Sequence, residues 1–165
     1  MAAKSERSAK LSVLDRLIDQ DPKRASEAPL SPAQSLNELK ASLRRDIEWL
    51  LNTRQCIQEP PEGSTELQRS LQVYGLPDIC SLNLSSGQDY HRLARTMEST
   101  LATFEPRLRT IRVTPAPSAD ATSRVLRFQI EGVLRVEPVP EHVTFDTVLE
   151  LASGEYEVKG EHGAG

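Results

Sequence analysis

The run Met97-Glu98-Ser99-Thr100-Leu101-Ala102-Thr103-Phe104-Glu105-Pro106-Arg107-Leu108-Arg109-Thr110-Ile111-Arg112-Val113 contains the point at which the chain changes its hydrophobic period. Upstream of it, Tyr90, Leu93, Met97, Leu101 and Phe104 recur at steps of three and four, the spacing of one helical face over 88–104. Pro106 has no amide donor and disfavours helical backbone at Glu105, so that helix should stop there. Downstream the period is two. A first strand is expected over 109–114. In a second, Leu126, Phe128 and Ile130 alternate with Arg127, Gln129 and Glu131, and the run continues past Gly132 through Leu134 to Val136. In a third, Val143, Phe145, Thr147, Leu149 and Leu151 face inward, and Ala152-Ser153-Gly154 turns the chain into a fourth strand over 155–159. Every connection is of hairpin type, which makes the sheet antiparallel. The expected fold is α+β, with helices packed on a small antiparallel sheet of about four strands.

Further upstream, Ser31-Pro32-Ala33-Gln34 combines a capping hydroxyl, a proline at the first helical position and a glutamine three residues after the cap, a capping box. From it, Leu36, Leu39, Leu43, Ile47, Leu50 and Leu51 fall on a single stripe of a second core helix. Trp49 lies on the opposite side of that helix. It is either an interface residue or is covered by the irregular, proline-bearing stretch 58–63. A short helix is expected over 64–74, with Leu67, Leu71 and Tyr74 on one side and Gly75 and Pro77 closing it. Near the start, Leu11, Leu14 and Ile18 share a helical face over 11–19, but 20–32 carries three prolines among alternating charges and reads as a linker. The first helix should therefore dock on something else. Three segments result: 1–32 as short helix and linker, 33–159 as the domain (helical half 33–105, sheet 108–159), and 160–165 as a frayed tail.

At 165 residues the chain suits one domain, in which folding hides roughly 70% of the unfolded surface. One Trp, three Tyr and three Phe leave a core made mostly of Leu, Ile and Val. The formal charge is −4 with both signs interspersed, so no basic stripe exists to neutralise phosphates, and nucleic acid is not an expected partner. No run reaches the ~20 apolar residues of a membrane span, and residues 1–10 are too polar for a signal peptide, which points to the cytoplasm. Cys56 and Cys80 are far apart, without a CxxC pairing or clustered histidines. They read as ordinary buried or half-buried thiols, with no disulfide framework or zinc site.

Chemistry is weakly served. His91, His142 and His162 have no nucleophile beside them in any motif, and the glycines form no phosphate-cradling loop. Glu105 is the only carboxylate attached to a distinctive local pattern. Its neighbour Arg107 is a positive charge, a poor setting for a general acid that must hold its proton. No cofactor, metal or catalytic residue is expected. Arg54, at the end of the apolar stripe of the second helix, can cap carbonyls or meet a carboxylate from another element; alternatively, with Asn52, it fixes a loop presented to a partner.

Five stretches stand in one order: SVLDRL (12–17), RDIEWLLNTR (45–54), YGLPD (74–78), FEPRL (104–108) and VTFDTVLEL (143–151). Together they resemble the TssE family of type VI secretion baseplate proteins over about residues 11–159. That family is similar to the small wedge protein of contractile phage tails and is often labelled lysozyme-like. The resemblance implies a structural subunit whose Glu105-Pro106-Arg107 element docks on the wedge of TssF and TssG, near TssK, at the inner membrane complex. It also implies a sheet that templates the sheath of TssB and TssC. Partner contacts are expected at Glu105, Pro106, Arg107, Trp49 and Arg54. Strand addition at a sheet edge, with Glu157 as an edge position, would serve templating without a catalytic group. The lysozyme-like label implies instead a peptidoglycan hydrolase using Glu105 with Glu131 or Asp146.

Overall fold

The computed structural model describes residues 12–18, 31–56, 60–61, 63–78, 87–117, 125–137 and 139–160. Helix α1 is Val13–Leu17, α2 is Pro32–Asn52 and α3 is Gly87–Phe104; the strands are β1 Leu108–Ala116, β2 Val125–Leu134, β3 Glu141–Glu150 and β4 Glu155–Lys159. The sheet is an antiparallel meander in the order β1-β2-β3-β4, so the α+β expectation holds. Leu11, Asp19, most of the proposed linker, Cys80 and the tail 161–165 lie outside the described residues.

The capping box at α2 forms as its sequence dictates. Gln34 N–H donates to Ser31 Oγ at 3.3 Å, and Ser31 N–H donates to Gln34 Oε1 at 3.0 Å. Both long helices lie on one face of the sheet, α3 along β1 and α2 along β4. Leu43, Ile47 and Leu51 of α2, Leu93, Met97 and Leu101 of α3, and Phe128, Ile130, Leu134, Val143 and Leu149 of the sheet form one continuous core. Tyr90 locks α3 to the sheet at the open end of the β1–β2 ladder, where its hydroxyl accepts from Arg127 N–H at 3.0 Å and donates to the Arg127 carbonyl at 2.7 Å.

Three expectations are corrected. The stretch 64–74 is two 3-10 turns, Leu67–Arg69 and Leu71–Val73, with Leu67 and Leu71 exposed. Ser70 breaks it: its backbone is extended, its hydroxyl donates to the Leu67 carbonyl and accepts from Gln72 N–H, and a local alternative to the helix results. Cys56 is exposed and not buried, because it follows the end of α2 on a connecting segment. The apolar residues of α1, Val13, Leu14, Leu17 and Ile18, face solvent, and the helix meets the domain through a polar residue instead.

Each outer edge of the sheet is occupied by helix side chains. The outward groups of β4 belong to Tyr156 and Val158. Asn52 bonds Tyr156 N–H and carbonyl, both at 2.8 Å, Glu48 accepts from Val158 N–H at 3.1 Å, and Arg44 donates to the Val158 carbonyl at 3.2 Å. Residues 44, 48 and 52 recur at steps of four on α2, so one helical stripe runs alongside the strand. On β1, Glu98 of α3 accepts from Val113 N–H at 3.1 Å, and Pro115, two residues further along the same edge, has no donor. Thr110, at φ 52°, and the register shift between Arg109 and Arg112 interrupt β1 further.

Candidate functional site

Helix α3 ends at Phe104, Leu108 opens β1, and Glu105, Pro106 and Arg107 form the corner between them. Glu105 is only 5% exposed. Arg107 grips it as a fork, Nε to Oε1 at 2.7 Å and Nη2 to Oε2 at 2.6 Å, while the Arg107 backbone N–H donates to Oε1 at 3.2 Å. The same Nη2 reaches Asp46 Oδ2 of α2 at 2.7 Å. Burial works against the Arg107 cation, but the hydrogen bonds and charges of Glu105 and Asp46 prevail and raise its pKa.

The pairing continues along α2. Arg45 donates to Asp46 Oδ1 at 2.9 Å and to Asp15 Oδ1 of α1 at 2.6 Å. Ser42 donates to Asp15 Oδ2 at 2.5 Å and lies 3.5 Å from Arg107 Nη1. Residues 42, 45 and 46 lie within one helical turn on the same face, which is why one stretch of α2 can hold both α1 and the corner. Tyr74 joins from the fourth side. It packs edge-on to Phe104 with ring centroids 5.3 Å apart, and burial followed by the negative charges of Asp46 and Glu105 raises its phenol pKa. Four of the five stretches singled out in the sequence therefore converge on one cluster: Asp15 of SVLDRL, Arg45 and Asp46 of RDIEWLLNTR, Tyr74 of YGLPD, and Glu105 with Arg107 of FEPRL.

Trp49 stands beside this cluster and is 52% exposed. The guanidinium of Arg45, one turn earlier, lies 4.9 Å from its ring centroid. Residues 57–59 and 62, which carry part of the proposed cover, lie outside the described residues. Arg54 is placed elsewhere, beyond the end of α2, where it donates to the Gly154 carbonyl at 2.8 Å and so ties down the turn between β3 and β4. Glu131 is on the solvent face of β2 and Asp146 on β3, and neither is among the hydrogen-bond partners of Glu105 given above.

The model of the family "Baseplate wedge protein gp25" matches residues 37–139, from early α2 to just before β3. The chain belongs to the baseplate wedge protein gp25 family. Members of the gp25 family are structural components of a baseplate. Among solved structures, a chain of "The baseplate complex from the type VI secretion system" is similar, at 21% identity over 68% of this chain and 94% of that one, with a TM-score of 0.48. No curated protein matches. The gp25 match includes Arg45, Asp46, Tyr74, Glu105 and Arg107, while Asp15 lies before it.

Asp15, Ser42, Arg45 and Asp46 were missed as site residues in the sequence. Ser42, Arg45 and Asp46 stand among other polar residues of α2, and no local signal sets them apart. Asp15 yields a pH prediction. Burial opposes its charge, but hydrogen bonds from Ser12, Ser42 and Arg45 outweigh that and lower its pKa to about 2. A carboxyl depressed in the folded state contributes stability that is present above the unfolded value near 4 and is lost as pH falls through the folded value. Docking of α1 should therefore weaken between about pH 4 and pH 2. Releasing Arg45 there should shift the emission of Trp49, the single tryptophan. Asp15→Asn should abolish this transition; a titration that is the same with and without the carboxyl would show that Asp15 does not hold α1.

Proposed function

We propose that the chain is a non-catalytic subunit of a type VI secretion baseplate, working in the cytoplasm at the inner membrane complex. The corner Glu105-Pro106-Arg107 and the exposed Trp49 dock it on the wedge of TssF and TssG, near TssK. The sheet then gives the sheath of TssB and TssC its first template, with Arg54 holding the turn that leads into β4. The observation that carries this reading is the fork between Arg107 and Glu105. Both carboxylate oxygens of Glu105 are engaged by a guanidinium that is itself bound to Asp46, an arrangement suited to fixing the shape of a surface and unsuited to giving up a proton. Exposed Pro106 and Trp49 flank that fixed shape.

Two experiments test it. Purified protein incubated with peptidoglycan should release no fragments; turnover that disappears in Glu105→Gln would make the chain a hydrolase. Strand addition at β4 must displace the bonds from Arg44, Glu48 and Asn52, two of which are charge-assisted, so the incoming main-chain bonds have to offset their loss. The relevant amides are those of Tyr156 and Val158, because the Glu157 N–H points toward β3 by strand alternation. Val158→Pro should leave the β3–β4 ladder in place and stop sheath initiation. Normal sheath initiation by a folded Val158→Pro chain would remove β4 as the template.

A further inference from the structure

Next to the corner the sheet turns a basic face to solvent. Arg109 is paired in register with Val133, and the Arg135 N–H donates to the Arg107 carbonyl at 2.9 Å. Leu108 and Leu134 are buried, so alternation places Arg109 and Val133 on the outer face, with Arg135 exposed just beyond β2; Arg107 lines the same end of the sheet while its guanidinium turns to Glu105 and Asp46. With Val136 and Glu137 they line a groove of about 540 Å³. Both valines are half-buried; Val133 gives the groove an apolar floor, and Val136, which packs against the core, lines its end. Arg107 is already engaged by Glu105 and Asp46. Arg109 and Arg135 are exposed, and among the described residues neither side chain has an ion pair. In a chain of net charge −4, two such guanidiniums beside an apolar floor, with Glu137 the acidic residue in the groove lining and Glu131 further along the same face opposite Arg112, form a local positive site.

We propose that this groove takes an extended acidic segment of another baseplate subunit. Carboxylates of that segment pair with Arg109 and Arg135, and an apolar side chain between them rests on Val133 and Val136. Guanidinium forks match carboxylates in geometry as well as charge, and a two-residue alternation of acidic and apolar side chains matches the pleat of the sheet. The inference rests on the docking reading above and names the chemistry of the docked segment.

The probe is a fluorescein-labelled ten-residue peptide alternating glutamate with leucine and valine, set against the same peptide with lysine in place of glutamate, and followed by anisotropy. The acidic peptide should bind the full chain and the lysine peptide should not. Raising salt from about 50 to about 500 mM should weaken binding, as screening requires. Arg109→Glu with Arg135→Glu should weaken it by roughly tenfold or more, and Arg109→Gln with Arg135→Gln should lower it too without reversing charge. Arg92→Glu with Arg95→Glu, on the exposed side of α3, should leave it unchanged. Circular dichroism of each variant should match that of the wild type. Equal binding of the two peptides, undiminished binding by the folded Arg109 and Arg135 variants, or no binding by the wild type would each overturn the groove. If the wild type is nonetheless retained by TssF and TssG, only the acidic-segment reading falls; if it is not retained, the docking reading falls with it.

Discussion

Arg107→Ala should destabilise the folded chain by about 3 kcal/mol or more, a large share of the roughly 5–15 kcal/mol that holds a domain together. The substitution strands Glu105, 5% exposed, without the fork that compensates its charge. It also removes the bond that ties the corner to Asp46 of α2. Removing one member of a buried pair is worse than removing both, because the survivor keeps its desolvation penalty. The double variant Arg107→Ala with Glu105→Gln should accordingly recover about 1–2 kcal/mol relative to Arg107→Ala alone. Urea unfolding of the single and double variants measures this directly. Equal midpoints for wild type and Arg107→Ala would mean that the fork contributes nothing to folding. The corner is thus a structural clamp, and a loss of partner binding in Arg107→Ala alone would not separate that role from the proposed docking.

Gly75→Ala should be comparably damaging, by at least about 3 kcal/mol, for a reason local to the backbone. Gly75 has φ 105°, where a side chain is strained, and an added Cβ would sit 2.3 Å from the Thr53 carbonyl oxygen. Thr53 cannot easily give way. Its carbonyl accepts from Leu76 N–H at 2.9 Å, and the neighbouring Gln55 N–H donates to the Leu76 carbonyl at 2.9 Å. These bonds hold the fully buried Leu76 in the core and keep Tyr74 against Phe104 beside the corner. The variant should therefore lose stability and also loosen the cluster. A thermal midpoint within a degree or two of the wild type would contradict the close approach.

The parts of the fold that were legible in the sequence are those governed by local rules. The capping box at Ser31, the stripes of α2 and α3, the stop at Pro106 and the two-residue period after it place the elements to within a few residues. The segment 64–74 failed because Ser70 offers the backbone a competing hydrogen bond, which apolar spacing does not register. The site was legible only in part. Glu105 and Arg107 announce themselves by the tripeptide, but their partner Asp46 is on a helix far away in sequence, and Asp15 is further still. Nothing local distinguishes an aspartate that pairs across the fold from one that faces water. The Arg44, Glu48 and Asn52 stripe shows the same limit: its spacing is plain on a helical wheel, yet the strand edge it covers becomes visible only when α2 lies beside β4. Trp49 was identified as outward by position alone, and it is outward, with Arg45 against its ring.

The central claim, that this gp25-family chain docks in a wedge through the surface fixed by the Glu105 and Arg107 fork, is tested most directly by co-purification with TssF and TssG. The wild type should be compared with Trp49→Ala combined with Pro106→Ala, which removes exposed groups and leaves the fork in place. The account predicts that both partners are retained by the wild type and lost by the double variant, with unchanged circular dichroism; a wild type that elutes alone, or a folded double variant that retains both partners in full, would contradict it.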